Sequence, residues 1–295
     1  MRALWLTVLL AASSASGHLP EGWEVAALQF PEGAAPEVDG QLGDWAQAGR
    51  ATLTTEDFVD LVDEAPADAE DLDILVWIGW SPHTNRIYLA AQVRDDIHQV
   101  DRPEGTATTR IFQDDDLEIF VDGDHSGGQY ADFSDLSQGE QLERNGAQAS
   151  HFVLAGPHED GDFLVNFSAA AWYSEPDGAY TRAAMAVEGP EGGPAVVSYE
   201  FSLAVFDEVD MTADFLSRRR LLAADDVIGF NLEFADYDEH SELLDAKWSL
   251  SGGHNAYRLA DRFTDLRLAP VVPTLVRSST WGRIKSTFAA PESLY

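Results

Sequence analysis

The sequence predicts an all-β protein, an antiparallel β-sandwich of jelly-roll-like kind with a short helical tail at its C-terminal end. Three observations carry this prediction. Short apolar segments with a period of two recur along the chain, punctuated by Gly, Asp and Pro. They do not alternate with long helical patterns, which argues for antiparallel pairing rather than βαβ units. Hydrophobic residues make up 45% of the chain, and 15 Phe, 8 Tyr and 8 Trp supply a core and leave aromatic rings for a binding face.

Residues 1–17 read as a secretory signal: Arg2 gives a positive start, residues 3–12 are apolar, and small residues follow through Gly17. That apolar run is too short to span a bilayer, and no later stretch reaches about 18 apolar residues. The chain has no Cys, so a lipid-anchored cysteine, disulfides and thiolate metal sites are excluded. An exported protein, secreted or periplasmic, is therefore expected, with residues 18–269 as a single β-sandwich domain.

Within that domain, residues 25–30 form an opening strand, followed by the motif VDGQLGDW over 38–45. Residues 54–73 hold nine acids and no base, a composition that suggests an exposed loop or short helix. Residues 72–80 and 86–93 form the clearest hairpin, joined by Ser81-Pro82-His83-Thr84-Asn85. The first of these is apolar on both faces and reads as a central, doubly covered strand. Further strands are predicted at 117–121, 150–155, 163–167, 183–187, 196–203, 227–234, 246–250 and 263–268. Residues 130–146 are polar enough for a long loop, and 206–222 hold the one credible short helix. After Ala269, Pro270 and Pro273 open a linker into a locally basic tail. Its Trp281, Ile284 and Phe288 share one helical face and offer a contact for a protein partner or for the domain itself.

Charge sets the partners. With 52 acidic and 18 basic residues the net charge is −34, a field that repels nucleic acid and anionic membrane surfaces and attracts cations. The most informative acidic stretch is DDDLEIFVDGDHSGG, residues 114–128. Alternation puts Leu117, Ile119 and Val121 on one face and Glu118 and Phe120 on the other, a strand expected to carry its carboxylates to an edge or rim. Asp114, Asp115, Asp122 and Asp124 are the candidate ligands for a structural Ca²⁺. The loop from Asp122 resembles the first half of a calcium loop, but its twelfth position is Phe133, so it is not an EF-hand. The bland reading of the same loop is a tight polar turn whose aspartates accept backbone N–H groups. Asp236-Tyr237-Asp238-Glu239-His240 reads as a solvated loop. No HExxH, GxSxG or phosphate-cradling Gly loop is present, so the usual zinc, serine-nucleophile and nucleotide chemistries lack their motifs. A carboxylate pair for glycoside hydrolysis is a matter of spatial separation, which sequence leaves open.

Five motifs in order carry a family resemblance: VDGQLGDW (38–45), VWIGWSPHTNRIYLAAQVRDD (76–96), DDLEIFVDGD (115–124), YEFSLAVF (199–206) and IGFNLEFADYDE (228–239). Together they resemble the family 9 carbohydrate-binding module and its DOMON-like relatives over roughly residues 25–269. The resemblance implies an antiparallel β-sandwich with structural Ca²⁺ and a pair of aromatic side chains that clamp a sugar ring. It places that pair at Phe112 and Tyr257, and the acid of the strand motif at Glu118. The Arg and Asn that the family uses fall on the strand at 151–155, which offers Val153 and Ala155 instead; His151 on that strand completes the candidate ligand set. The expected function is an exported, non-catalytic carbohydrate-binding module, accessory to glycan capture or degradation. Two alternatives stand beside it. One is a haem-binding DOMON-like domain, for which Met185 and Met211 are the only internal methionines. The other is a cell-surface interaction module using the tail.

Overall fold

The computed structural model describes residues 19–168, 170–238 and 243–271; the predicted signal, residues 1–17, and the tail residues Trp281, Ile284 and Phe288 lie outside the described residues. In chain order the first strands are β1 (Glu24–Gln29), β2 (Leu53–Thr54), β3 (Val59–Asp60), β4 (Ala65–Pro66), β5 (Leu72–Ser81), β6 (Arg86–His98), β7 (Asp116–Asp122) and β8 (Ser150–Ala155). There follow β9 (Leu164–Asn166), β10 (Thr181–Glu188), β11 (Gly193–Leu203), β12 (Phe206–Glu208), β13 (Arg218–Arg219), β14 (Val227–Asp236), β15 (Ala246–Ser249) and β16 (Thr264–Leu268). Helix is confined, among the described residues, to α1 (Ala107–Arg110), α2 (Gln138–Arg144) and short 3₁₀ turns.

Two layers result. In the first sheet the order is β10-β11-β6-β5, with β2 and the end of β1 beside β5. In the second, β9-β8-β7 leads to β14; β14 then pairs with β16 along its first half and with β15 along its second, and β15 continues to β3 and β4. β1 joins the layers, pairing parallel with β16 through Glu24 to Ala27 and with β5 through Leu28 and Gln29. These two parallel contacts are departures from an otherwise antiparallel pattern.

The alternation read from the sequence decides the faces. Ile74, Val76, Ile78 and Trp80 of β5 and Leu89, Ala91 and Val93 of β6 point inward. They meet Leu117, Ile119 and Val121 of β7 and Phe230, Leu232 and Phe234 of β14 in one buried core. Packing two such faces removes apolar area from water at about 25 cal/mol per Å², the main stabilising term of a sandwich. The VDGQLGDW motif covers the outside of the first sheet. Its 3₁₀ segment Leu42–Ala48 lays Trp45 edge-on against Phe30, which in turn meets Tyr88. Glu200 of β11, wholly buried, is held there by three N–H donors: Asp39 N at 2.9 Å, Gly40 N at 2.7 Å and Trp45 Nε1 at 2.7 Å. Gly40 has φ +82°, a conformation that a side chain would strain.

Four expectations change. β7 is not at an edge or rim: it lies between β14 and β8 and all seven of its residues are buried. The predicted helix within 206–222 is instead β12, a 3₁₀ turn at Asp214–Leu216, and β13. Residues 130–146, expected as loop, contain α2, which Ser137 and Glu140 start as a reciprocal capping box. The acidic 54–73 stretch holds the expected short helix as a 3₁₀ turn at Thr55–Asp57 and, beyond the expectation, a small edge hairpin, β3 and β4, appended to β15. Backbone pairing with an existing strand overrides the loop-like composition there.

Candidate ligand-binding site

The outer face of the second sheet is half covered. Phe120 packs there with Tyr130, Ala149, Ala256, Ala260 and Phe263, closing one side. Beside that apolar patch a cavity of about 470 Å³ opens, lined by Phe112, Glu118, Ala131, Asp132, Asn145, His151, Phe167, Lys247 and Tyr257. The four predicted ligand residues Phe112, Glu118, His151 and Tyr257 are thus brought together from three separate parts of the chain.

Register builds the floor. β7 sets Glu118 opposite Glu233 of β14, and Phe120 opposite His151 of β8. The His151 ring stacks on Phe120 at 4.2 Å and donates from Nε2 to Glu118 Oε2 at 2.7 Å. From β15, Lys247 Nζ donates to Glu118 Oε1 at 2.6 Å and lies 3.2 Å from Glu233 Oε2. The other oxygen of Glu233 accepts from Asn231 Nδ2 at 3.1 Å and Ser249 Oγ at 3.2 Å. Burial pushes the Glu118 carboxyl up, but the charges of Lys247 and then His151 overcome it and hold the group down at about 2. Glu233 is pushed up, by burial and by the nearby Glu118 charge, against the pull of Lys247. Burial lowers Lys247, yet the three acids around it, Glu118, Glu233 and Asp116, keep its ammonium above the ordinary range.

The walls are aromatic. Phe112 and Tyr257 are 40% and 47% exposed, unusual for rings of this size and useful only where something covers them. Phe112 is anchored from its backbone, whose carbonyl accepts from Tyr237 Oη at 2.9 Å, and its ring lies 6.1 Å from that of Phe167. The Arg258 guanidinium sits 5.7 Å from the Tyr257 ring centre and pairs with Asp132 at 3.1 Å. Asn145 Oδ1, enclosed and without a hydrogen-bond partner, is an acceptor left open. The carboxylates of the floor are already engaged by Lys247, His151, Asn231 and Ser249, so the ligand it suits is neutral, flat on one face and able to exchange hydrogen bonds.

Lys247, Asn145, Asp132 and Phe167 were not anticipated. Lys247 had a signal: it is one of two lysines in a chain of 52 acids and sits on a predicted strand. Asn145 had none beyond the turn dipeptide Asn145-Gly146. Val153 and Ala155, in place of the polar pair implied by resemblance, are fully buried and pack on Ile111.

The four aspartates offered as metal ligands divide between the two ends of β7, a strand about 20 Å long, so no one ion reaches all four. Asp114 is paired with Arg102, and Asp115 accepts from Gln99 N at 2.5 Å and Tyr237 N at 2.8 Å. At the other end Asp122 accepts from Gly127 N at 2.8 Å, while Asp124 accepts from Ser126 N at 3.2 Å and meets Arg218 at 3.3 Å. These are the contacts of a tight polar turn. Gly123 is required in it, because a Cβ would lie 2.1 Å from the Phe206 carbonyl oxygen. As for haem donors, Met185 shares a cavity of about 300 Å³ with His158. Both ring nitrogens of His158 are engaged, by the Arg102 carbonyl at 2.7 Å and by Asp160 at 2.9 Å, so Met185 is the only unengaged donor of the two.

No protein-family model matches the sequence, and no curated protein matches it. Solved structures do. A family 9 carbohydrate-binding module from Caldicellulosiruptor kristjanssonii in complex with cellotriose is 13% identical, covers 86% of this chain and 97% of its own, and superposes with a TM-score of 0.52. The module from the same organism in complex with glucose is 12% identical, covers 86% and 100%, and gives 0.54. The chain has the β-sandwich fold of these modules, as its sequence motifs led one to expect.

Proposed function

We propose that the protein is an exported, non-catalytic carbohydrate-binding module, accessory to the capture or breakdown of a glycan. One observation carries the reading. Two half-exposed aromatic rings, Phe112 and Tyr257, stand over a polar floor whose carboxylates are already engaged by Lys247 and His151, in a cavity sized for a sugar ring or two. The apolar C–H face of a pyranose stacks on such rings, and its hydroxyls exchange hydrogen bonds with Asn145, Asp132 and the Glu118–His151–Lys247 floor. The carbohydrate complexes of the two similar structures support the choice of ligand. Export rests on the signal-like residues 1–17; among the described residues no helix is long and apolar enough to cross a membrane.

Calorimetric titration with glucose and its short β-linked oligosaccharides, beside other neutral hexoses, tests the assignment. Saturable binding is expected, weakened at least about tenfold, or ~1.4 kcal/mol, by Phe112→Ala or Tyr257→Ala. Undiminished binding in both variants, or no saturable binding to any of these sugars, overturns it.

A further inference from the structure

One end of the sandwich carries an apolar surface that the sugar reading does not use. Among the described residues the three most exposed large hydrophobic side chains are Phe215, Leu221 and Leu216, at 82%, 81% and 60%. All three fall on one short segment, the 3₁₀ turn Asp214–Leu216 and the chain just past β13. Single apolar side chains at a surface are ordinary, but three so exposed on one segment mark a contact surface.

Hydrogen bonds fix this display. Asp210 Oδ1 accepts from Thr212 N at 2.8 Å and Ala213 N at 3.2 Å, and Ser217 Oγ accepts from Asp210 N at 2.8 Å. Together they close the loop that presents Phe215 and Leu216. The residues on either side of Leu221 are pinned as well: Arg220 N donates to Val205 O at 2.9 Å, and Leu222 N to Asn85 Oδ1 at 2.8 Å. Side chains held out to solvent in this way gain stability only when something covers them.

The chain itself supplies an occupant. The described residues run to Val271, whose N–H donates to Gln29 Oε1 at 2.9 Å. Leu268, three residues earlier, is tied to the segment after Leu221 by Asp225 N to Leu268 O and Leu268 N to Asp226 O, both 2.8 Å. Leu221 is four residues before Asp225, so it lies no more than about 30 Å from Val271. Trp281 is ten residues past Val271, and ten residues span up to about 34 Å. The patch is within its reach.

The chemistry of residues 272–295 fits the patch. Trp281, Ile284 and Phe288 recur at helical spacing, over about 10 Å of helix axis. Leu216 and Leu221 are five residues apart, at most about 18 Å, a gap that three such side chains cover with their own length. The segment also holds Arg277, Arg283 and Lys285 against one acid, Glu292. Around the patch, Asp124, Asp207, Glu208, Asp214, Asp225 and Asp226 outnumber Arg218, Arg219, Arg220 and Arg267. A positive segment therefore meets a net negative rim.

We propose that residues 272–295 dock on the Phe215, Leu216 and Leu221 surface of their own domain. Trp281, Ile284 and Phe288 cover the apolar side chains, and Arg283 and Lys285 meet the acids around them. None of the patch residues lines the Phe112 and Tyr257 cavity, so the proposal stands or falls without the sugar reading.

The chain has no Cys, so an introduced pair of thiols can be cross-linked selectively. In the full chain, Leu221→Cys with Ile284→Cys should form an intramolecular disulfide in mild oxidant at least tenfold faster than Val62→Cys with Ile284→Cys. Val62 is also exposed, but it lies just past β3, toward the Phe234 end of β14, whereas the patch lies toward the Val227 end. Without introduced thiols, Phe215→Ser and Leu221→Ser should each speed tryptic cleavage after Arg283 and Lys285 at least tenfold, read as fragment masses, and Val62→Ser should not. Equal cross-linking of the two pairs, disulfides formed only between chains, or cleavage rates unmoved by both patch variants would overturn the proposal.

Discussion

Two acid-rich regions flank β15, and they handle their charge differently. At Lys247 the strand faces the cavity floor, where Glu118 and Glu233 are gathered around an ammonium and an imidazole. One residue before the strand, Asp245 lines an acidic hollow with Asp71 and Asp238, where among the described residues no base lines it. Two residues of separation along one chain take the protein from a compensated site to an uncompensated one. Net charge therefore says little about either site. In the compensated floor Glu118 stays ionised beside its partners, whereas in the uncompensated cluster burial and neighbouring acids raise the proton affinity of Asp236 and Asp238.

The largest expected effect breaks the compensated side. Lys247→Met leaves Glu118 and Glu233 buried without their shared cation and should cost about 3 kcal/mol in urea unfolding at pH 7. The loss should shrink at acidic pH, as the glutamates take up protons. A cost below about 1 kcal/mol would mean that the floor is not a charge-matched unit.

The pH profile sharpens the comparison. Burial and neighbouring acids push Asp236 up to about 9, and burial does most to bring Asp115 to about 7 and Asp238 to about 6. Such groups bind more protons folded than unfolded, so in chelator their contribution to stability falls as pH rises from about 4 toward 9. His98 acts in the same direction. Burial opposes its charge, but Asp115 and Asp95 raise it to about 9, so its contribution is complete below about 6.5 and lost as pH climbs through 9. Glu118, held down at about 2, works oppositely, and its contribution disappears as pH falls below about 4. Metal-free protein should therefore be most stable near pH 5 and lose stability progressively by pH 8. Thermal melts across pH in chelator read this directly; stability rising toward pH 8 would contradict it.

Glu200 shows a third way to hold a buried carboxylate, with N–H donors alone. Trp45→Phe keeps an aromatic ring at the site but removes the indole donor at 2.7 Å, and should cost about 1.5 kcal/mol. The smallest effect belongs to the walls of the cavity. Phe112→Ala and Tyr257→Ala should shift stability by no more than about 0.5 kcal/mol, since both rings are already half exposed, while removing most of the sugar affinity. A large loss of stability in either would recast these rings as packing residues.

Much of the fold was legible because a period of two is a local property. The alternation in residues 117–121 and the 72–80 and 86–93 hairpin place their apolar side chains in the core where the pattern said they would be. Asn85, at φ +54° in the predicted turn, fits the same logic. The apparent helix within 206–222 and the acidic loop at 54–73 misled because each is shaped by a strand distant in sequence: β12 pairs with β13, and β3 pairs with β15. In the cavity, the aromatic pair and Glu118 were reached through motif order. Lys247 and Asn145 were not, since their roles depend on which strand or loop ends up beside them.

The sequence by itself determined the class of fold, the inward set of side chains, the absence of thiol chemistry and a strongly acidic field, all of which follow from residue type and short-range period. Tertiary structure decided which acids are neutralised. Glu118 and Asp236 read alike in the sequence, each an acid in an apolar strand, yet one lies 2.6 Å from an ammonium and the other has an oxygen with no partner. Coulomb energy depends on distance and on exclusion of water, and both are set by packing between residues more than a hundred positions apart.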